Sequence, residues 1–470
     1  MATEFRVRAQ DALANNRVRA NIRKALDGLV VKYGKAFPDK DELARLRDQG
    51  RAIRAHALSR LPGLLEELEK SCTANGIQVH WAETTDEANC IVLDIMRRHD
   101  ARMLIKGKSM VSEEMGLNAF LAAQGIEAVE TDLGELIVQL AGEPPFHIVA
   151  PAIHMDRKNV AELFKAAFPD IPYSEDAEEL TATARRIMRE KFRGATIGLS
   201  GVNFAVAETG TLCLVENEGN GRMCTTVPDV HIAVTGIEKI VSRLDQIPSL
   251  LTLLVRSATG QPITTYFNMI SSPRRDGELD GPKEVHLVLL DNGRSRIFGD
   301  PELQATLRCI RCGACINHCP VYARLGGHAY GTVYPGPIGS ILEPQLQGLE
   351  AAGELADASS LCGACAEVCP VRISIPLLLN RLRSEGARTV AGSLIRGQGS
   401  RRSGTQALIW RMWAWFNASP GNYRLLIGVL GRVRALAPTR FGAWTRTREA
   451  PRLAPKSLHR MAQEEGFDHE

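Results

Sequence analysis

No uncharged apolar stretch in these 470 residues approaches the about 20 residues that a bilayer-crossing helix needs. The first residues, Met1-Ala-Thr-Glu-Phe-Arg-Val-Arg8, lack the apolar core of a secretory signal, so a cytoplasmic protein is expected. The net charge is only +3 and no block of like charge forms a basic tail, so nucleic acid is not an expected partner. No Gly-x-Gly-x-x-Gly follows a strand-like segment, which leaves no fingerprint for a flavin or nicotinamide. Lys106-Gly107-Lys108-Ser109 resembles the end of a Walker A loop, but Arg102 stands where that pattern has its first glycine.

What the sequence does hold is cysteine in a pattern. Cys309-Ile-Arg-Cys312-Gly-Ala-Cys315-Ile-Asn-His-Cys319-Pro320 fits C-x2-C-x2-C-x3-C-P, an iron–sulfur run in which the fourth cysteine serves the other cluster. Leu361-Cys362-Gly-Ala-Cys365-Ala-Glu-Val-Cys369-Pro370 repeats most of it. A structural zinc site is complete with four ligands, and these runs supply seven cysteines. Disulfides are not expected in a long chain without a secretory signal, and a thioredoxin-type pair stands alone beside a βαβ unit. The spacing rule predicts Cys309, Cys312, Cys315 and Cys369 on one cluster, and Cys319, Cys362 and Cys365 on a second. Ser359 stands where the second run lacks a cysteine. The second site therefore holds [3Fe–4S], or [4Fe–4S] with one iron bound by Ser359, a cysteine from elsewhere, water or a substrate. The plainer alternative is an electron-transfer cluster with an incomplete thiolate set.

Four divisions of the chain follow: helices over 1–69, an α/β domain over 70–298, a helical ferredoxin-like domain over 299–390, and a linker with an aromatic tail over 391–470. In the first, Val18, Ile22 and Leu26, then Leu43, Leu46, Ile53, Ala57 and Leu61, recur at helical spacing. The charges between them suit a solvated face or a partner surface. In the second, strands are expected at 76–82, 101–105, 126–130, 147–150 and 285–290, alternating with helices from Thr84 and Ser112. That alternation predicts a parallel sheet covered on both faces. The loop of Lys106, Lys108 and Ser109 is either an anion site or a simple βα turn with solvated lysines. A basic helix over 180–193 precedes a strand-rich stretch, 195–241. There Glu208 and Glu216 end apolar strands beside glycines, a placement that suits either a base or nucleophile or plain acidic turn residues. Glu208, Lys106 and Lys108 are expected to face one pocket at the strand ends. Cys213, Cys224 and His231 read as buried core residues.

In the third division, Gly326-Gly-His-Ala-Tyr-Gly331 and Tyr334-Pro-Gly-Pro-Ile-Gly339 suit an irregular wall near a cluster, with helices over 341–361 and 375–382. In the fourth, 397–404 reads as a flexible basic linker. Leu408-Ile-Trp-Arg-Met-Trp-Ala-Trp-Phe416 then suits docking on a partner or on the chain's own body, with peripheral contact to the inner face of a membrane as the alternative.

The cysteine block, its two glycine motifs, Lys106-Gly-Lys-Ser-Met110 and Ala207-Glu-Thr-Gly-Thr-Leu212 together resemble the LutB/YkgF family, iron–sulfur subunits of bacterial L-lactate utilisation complexes. The resemblance covers nearly the whole chain, and Ser359 follows the family's own pattern. It implies a lactate-utilisation (LUD) α/β domain similar to the NagB/RpiA/CoA-transferase fold, followed by a two-cluster helical ferredoxin-like domain. It implies an electron-carrying role in a complex that oxidises L-lactate to pyruvate and so supports growth on lactate. The implied partners are a cysteine-rich subunit of the heterodisulfide-reductase type and a second LUD-domain protein. Two other activities remain compatible with the residues: an adaptor for a different 2-hydroxy acid, and a CoA-transferase- or isomerase-like enzyme acting at Glu208 with structural clusters.

Overall fold

A computed structural model describes residues 5–387, 404–433, 440, 445, 449–450 and 454–466. The chain forms two compact units, residues 1–399 and 400–470. The linker expected over 397–404 and the boundary at 390/391 lie outside the described residues, apart from Gly404.

The first unit begins with four helices, Phe5–Ala14, Asn16–Ala36, Lys40–Ser59 and Leu61–Ala74. Asn15 and Asp39 cap two of them by accepting backbone N–H bonds at Val18 and at Asp41 and Glu42. The apolar stripe lies where the periodicity puts it, with Ile22, Leu26, Ile53, Ala57 and Leu61 all buried. The charged faces are less simple than a solvated surface. Arg8 donates to the Ala329 and Tyr330 carbonyls, Arg47 to those of Cys369 and Ala366, and buried Arg54 to those of Glu238, Ile240, Leu307 and Arg308. These arginines satisfy carbonyls in irregular backbone that no ladder serves.

The α/β core contains ten strands: β1 (Gln78–Ala82), β2 (Met103–Lys106), β3 (Glu127–Glu130), β4 (Ile197–Gly201), β5 (Phe204–Val206), β6 (Thr211–Glu216), β7 (Val230–Gly236), β8 (Ile240–Val241), β9 (Tyr266–Ile270) and β10 (Glu284–Leu290). Six make a parallel sheet in the order β1-β10-β7-β4-β2-β3. β7 is buried at every position, as expected of a strand covered on both faces. A second sheet, β8-β5-β6-β9, pairs β6 antiparallel to both neighbours and β5 parallel to β8. Residues 147–150 are not the strand expected. The His147 ring accepts the N–H groups of Val149 and Ala150 and folds that segment into an irregular turn.

The cysteine module packs on the same core. One cluster of buried side chains runs from Ile22 and Leu64 through Phe204 and Leu212 to Tyr322, Ile341 and Leu379. The helix expected over 341–361 is broken. Helix Gly336–Gln347 ends at Gly348, whose φ of 94° leaves the helical region, and short turns follow. The helix expected at 375–382 extends over Ile375–Ala387. The glycine motifs serve close approach: a Cβ on Gly327 would stand 1.7 Å from the Phe146 oxygen, and one on Gly339 1.5 Å from the Tyr334 oxygen.

The second unit holds helices Gly404–Asn417, Pro420–Val433 and Leu458–Glu464. Among the described residues no helix is long and apolar enough to cross a membrane.

Candidate metal centre

Both cysteine runs fold the same way. Arg311 and Leu361, each just before a cysteine, take left-handed φ values of 60° and 56°, and Gly313 and Gly363 follow at 77° and 90°. One-turn helices Ala314–Asn317 and Ala364–Glu367 then begin. A non-glycine residue held left-handed costs on the order of 1–3 kcal/mol and persists where surrounding structure imposes it. The repeat is visible in hydrogen bonding too. Arg311 N–H donates to Cys309 Sγ at 3.4 Å, and Leu361 N–H donates to Ser359 Oγ at 3.2 Å. The Ser359 oxygen thus stands in the second loop where the Cys309 sulfur stands in the first. Tyr322 N–H and Ile373 N–H approach Cys319 Sγ and Cys369 Sγ at 3.5 and 3.2 Å.

All seven cysteines are free thiols, and five of them, Cys312, Cys315, Cys319, Cys365 and Cys369, are buried. Burial first, then the nearby Cys309 and Cys369, raise the Cys312 thiol far above its ordinary value. Burial, followed by Cys309, Cys312 and Cys369, does the same at Cys315. Burial and then Cys319 push Cys365 up to about 12. Such thiols ionise only beside a compensating positive charge, which bound iron provides. The two runs lie close enough to influence one another: Cys369 acts on Cys312 and Cys315, Cys362 on Cys319 and Cys365, and Cys365 also on Cys315. Among the described residues no three of these sulfurs lie within 4.8 Å of one another. A tetrahedral zinc, with Zn–S bonds of about 2.3 Å, would draw its sulfurs to about 4 Å apart. The donor set fits a multinuclear cluster better than one ion. Cys362 is exposed, so the second set opens to the surface while the first is enclosed.

Cations surround the first set. Arg311 lies over the Tyr334 ring at 4.7 Å and reaches Glu238 at 3.3 Å. Glu238 also receives Arg294 Nε at 2.6 Å, and Arg294 grips Glu114 at 2.8 Å through both terminal nitrogens. Burial would raise Glu238, yet Arg294, Arg311 and Lys239 hold it down to about 2. Burial, with Arg311 next, lowers Lys239 to about 7. Sequence reasoning passed over Glu238 and Lys239. Their signal was a charged pair one residue beyond the mostly apolar strand β7, which is buried throughout.

A cavity of about 310 Å³ adjoins this centre, reaching from Lys108 and Ser109 past Gly201 and Asn203 to Lys239, Arg311 and Tyr334. The expected grouping at the strand ends is corrected here. Lys108 and Ser109 line the cavity; Lys106 and Glu208 do not. Lys106 is fully buried between Glu113, at 2.8 Å, and Glu130; burial would lower its pKa, but these two carboxylates raise it. Glu208 sits on a partly exposed turn, accepts the Leu244 N–H at 3.1 Å, and has Arg243 3.9 Å away. Glu216 does line the cavity, but its carboxylate is held by the N–H groups of Gly221 and Arg222 at 2.7 and 2.6 Å. Cys213, Cys224 and His231 are buried, and His231 Nε2 lies 2.8 Å from Ser200 Oγ.

Residues 65–290 match the LUD domain family, residues 305–373 the 4Fe-4S dicluster domain family, and residues 381–467 the family described as "Lactate utilisation protein B, C-terminal". The chain is 40% identical to the uncharacterized electron transport protein YkgF of Escherichia coli K12, over 97% of this chain and 95% of that one. It is 43% identical to lactate utilization protein B of Shouchella clausii, over 82% of each chain. With the Bacillus subtilis protein of the same name the identity is 42%, over 83% of this chain and 82% of the other. With an α/β LUD domain, a 4Fe-4S dicluster module and the matching C-terminal region in one sequence, the chain belongs to the lactate utilisation protein B family.

Proposed function

We propose that this chain is the iron–sulfur electron-transfer subunit of a complex that oxidises L-lactate to pyruvate. The partners would be a cysteine-rich subunit of the heterodisulfide-reductase type and a second LUD-domain protein. The observation that carries the reading is two cysteine runs of iron–sulfur spacing, seven free thiols with five of them buried, on one folded body within the part of the chain that matches the 4Fe-4S dicluster family. Cys309, Cys312, Cys315 and Cys369 would hold a [4Fe–4S] cluster. Cys319, Cys362 and Cys365 would hold a second, either [3Fe–4S] or [4Fe–4S] completed by a ligand other than cysteine. When bound, the clusters supply one-electron chemistry. The chain's own residues do the rest. N–H groups of Arg311, Tyr322 and Ile373 direct positive dipoles at sulfur, and Arg47, Arg54 and Arg311 place cations around the enclosed set. Both influences raise a reduction potential. Exposed Cys362 gives a partner's redox centre a place of approach.

Anaerobic purification with iron and sulfide analysis, followed by EPR, tests the assignment. Two signals are expected, and Cys312→Ala should remove one while the other persists. Zinc without acid-labile sulfide would refute the reading.

A further inference from the structure

The cavity beside the enclosed cysteine set lies at a topological turning point of the parallel sheet. Adjacent β2 and β4 both end at its wall, through Gly107-Lys108-Ser109 and Gly201-Val202-Asn203. From β2 the chain goes outward to the edge strand β3; after β4 the sheet continues the other way through β7 to β10. Open α/β sheets bind ligands at the carboxyl ends of strands where connections diverge in this manner.

Three cations line this space, and two of them keep a buried donor with no aligned hydrogen bond. Lys108 Nζ is buried, stands 3.3 Å from Glu135 and makes no aligned hydrogen bond. Arg311 uses one terminal nitrogen on Glu238, and its other, Nη1, is buried without a partner. Lys239 is only 6% exposed and lines the cavity. Buried cationic donors left unpaired are costly, so an anion supplied from outside would be bound strongly. The acids of the same wall do not compete for these cations, because backbone N–H groups already hold them: Gly221 and Arg222 on Glu216, Leu133 on Glu218, Glu135 on Asp132. A further wall is apolar, from Ile148, Val149, Val202 and Leu254.

The chemistry favours a carboxylate over a phosphate. Phosphate loops offer a row of free backbone N–H groups. Here two glycine N–H groups of the wall are already spent, Gly107 on the Leu199 oxygen and Gly221 on Glu216. The positive charge comes from side chains, including a planar guanidinium that matches a carboxylate's two oxygens. A volume of about 310 Å³ is at the small end of ligand cavities.

We infer that this cavity is a binding site for a small carboxylate, of the 2-hydroxy or 2-oxo acid class, held by Lys108, Lys239 and Arg311 beside the enclosed cysteine set. The cavity carries the small carboxylate; its 2-hydroxy or 2-oxo class rests on the proposed function. Because Arg311 lies between Cys309 and Cys312, a bound carboxylate would bring negative charge to that set.

Calorimetric titration of the anaerobically prepared full chain with L-lactate, pyruvate, glycolate and inorganic phosphate tests it. At least one carboxylate should bind, and its binding should shift one EPR signal. Lys239→Met and Lys108→Met should each weaken it at least about tenfold, the worth of one charge-assisted hydrogen bond, at unchanged iron content. Lys283→Met, on an exposed surface pair with Asp229, should bind as the parent does. Binding of glycolate but not of lactate or pyruvate would uphold this site while counting against lactate as the substrate. Binding of phosphate alone, of no anion, or undiminished carboxylate binding by both lysine variants would overturn the inference.

Discussion

Ser359 shows how much one side chain in a repeated loop can carry. Its oxygen accepts the Leu361 N–H as the Cys309 sulfur accepts that of Arg311, so the loop needs no rebuilding to take a thiol there. Ser359→Cys should therefore complete a four-thiolate set with Cys319, Cys362 and Cys365. The extra negative charge should lower the potential of that site, and the added thiolate should slow iron loss in air. If the serine only marks a vacancy, lactate-driven dye reduction by the reconstituted complex should match wild type at equal iron content, and Ser359→Ala should change little. A collapse of the rate with both EPR signals intact would instead identify an iron that must stay open. The two cysteine runs that the 4Fe-4S dicluster match spans were legible from spacing alone, because ligation by short loops imposes such spacing. The left-handed backbone at Arg311 and Leu361 was not, since neither is a residue type that prefers it.

Between elements, what joins the α/β core to the cysteine module is a buried chain of charges: Tyr334 to Glu114, Glu114 to Arg294, Arg294 to Glu238, Glu238 to Arg311. Its members come from five separate segments, and so sequence distance hid it. The elements themselves were readable. Thr84 caps the helix it was expected to open, and β7 and β10 are the apolar runs of a two-sided sheet. The misreadings arose where side chains take over backbone bonding, as His147 does, or where a glycine interrupts an apolar run, as Gly348 does. Breaking a buried ion pair leaves its partner charged and unpaired, at a cost of about 3–5 kcal/mol. Glu238→Gln should accordingly lower the melting temperature of the holoprotein well beyond the effect of removing an exposed pair such as Arg193 with Glu190. The acid dependence has a definite sign. Glu238 is held near 2 in the fold against an ordinary value of 4.5, so it stabilises the protein above about pH 4.5. That contribution fades as pH falls from 4.5 toward 2, and the glutamine variant should lose this part of the slope. An unchanged melting temperature would mean that the network is electrostatically idle.

On the scale of the whole molecule, the second unit raises the question of what covers it. Leu408, Ile409, Trp410, Met412, Trp413 and Trp415 are each at least half exposed, and at 100° per residue they span about 220° of helix Gly404–Asn417, with Ala407, Arg411 and Ala414 on the rest. An apolar face this wide is normally buried. At 14 residues it is about 21 Å long, short of a bilayer's hydrocarbon core of about 30 Å. A helix lying on a membrane surface keeps one charged face rich in lysine and arginine, and this one has Arg411 alone. A protein partner supplies the burial with fewer difficulties, through aromatic anchors of the kind that dominate interfaces. Replacing Trp410, Trp413 and Trp415 together by serine should leave iron content and both EPR signals unchanged. The same variant should lose co-purification with the other subunits of the complex, and lactate-driven dye reduction should fall with it. Intact assembly of the variant, with binding to anionic vesicles lost instead, would assign the helix to the membrane surface.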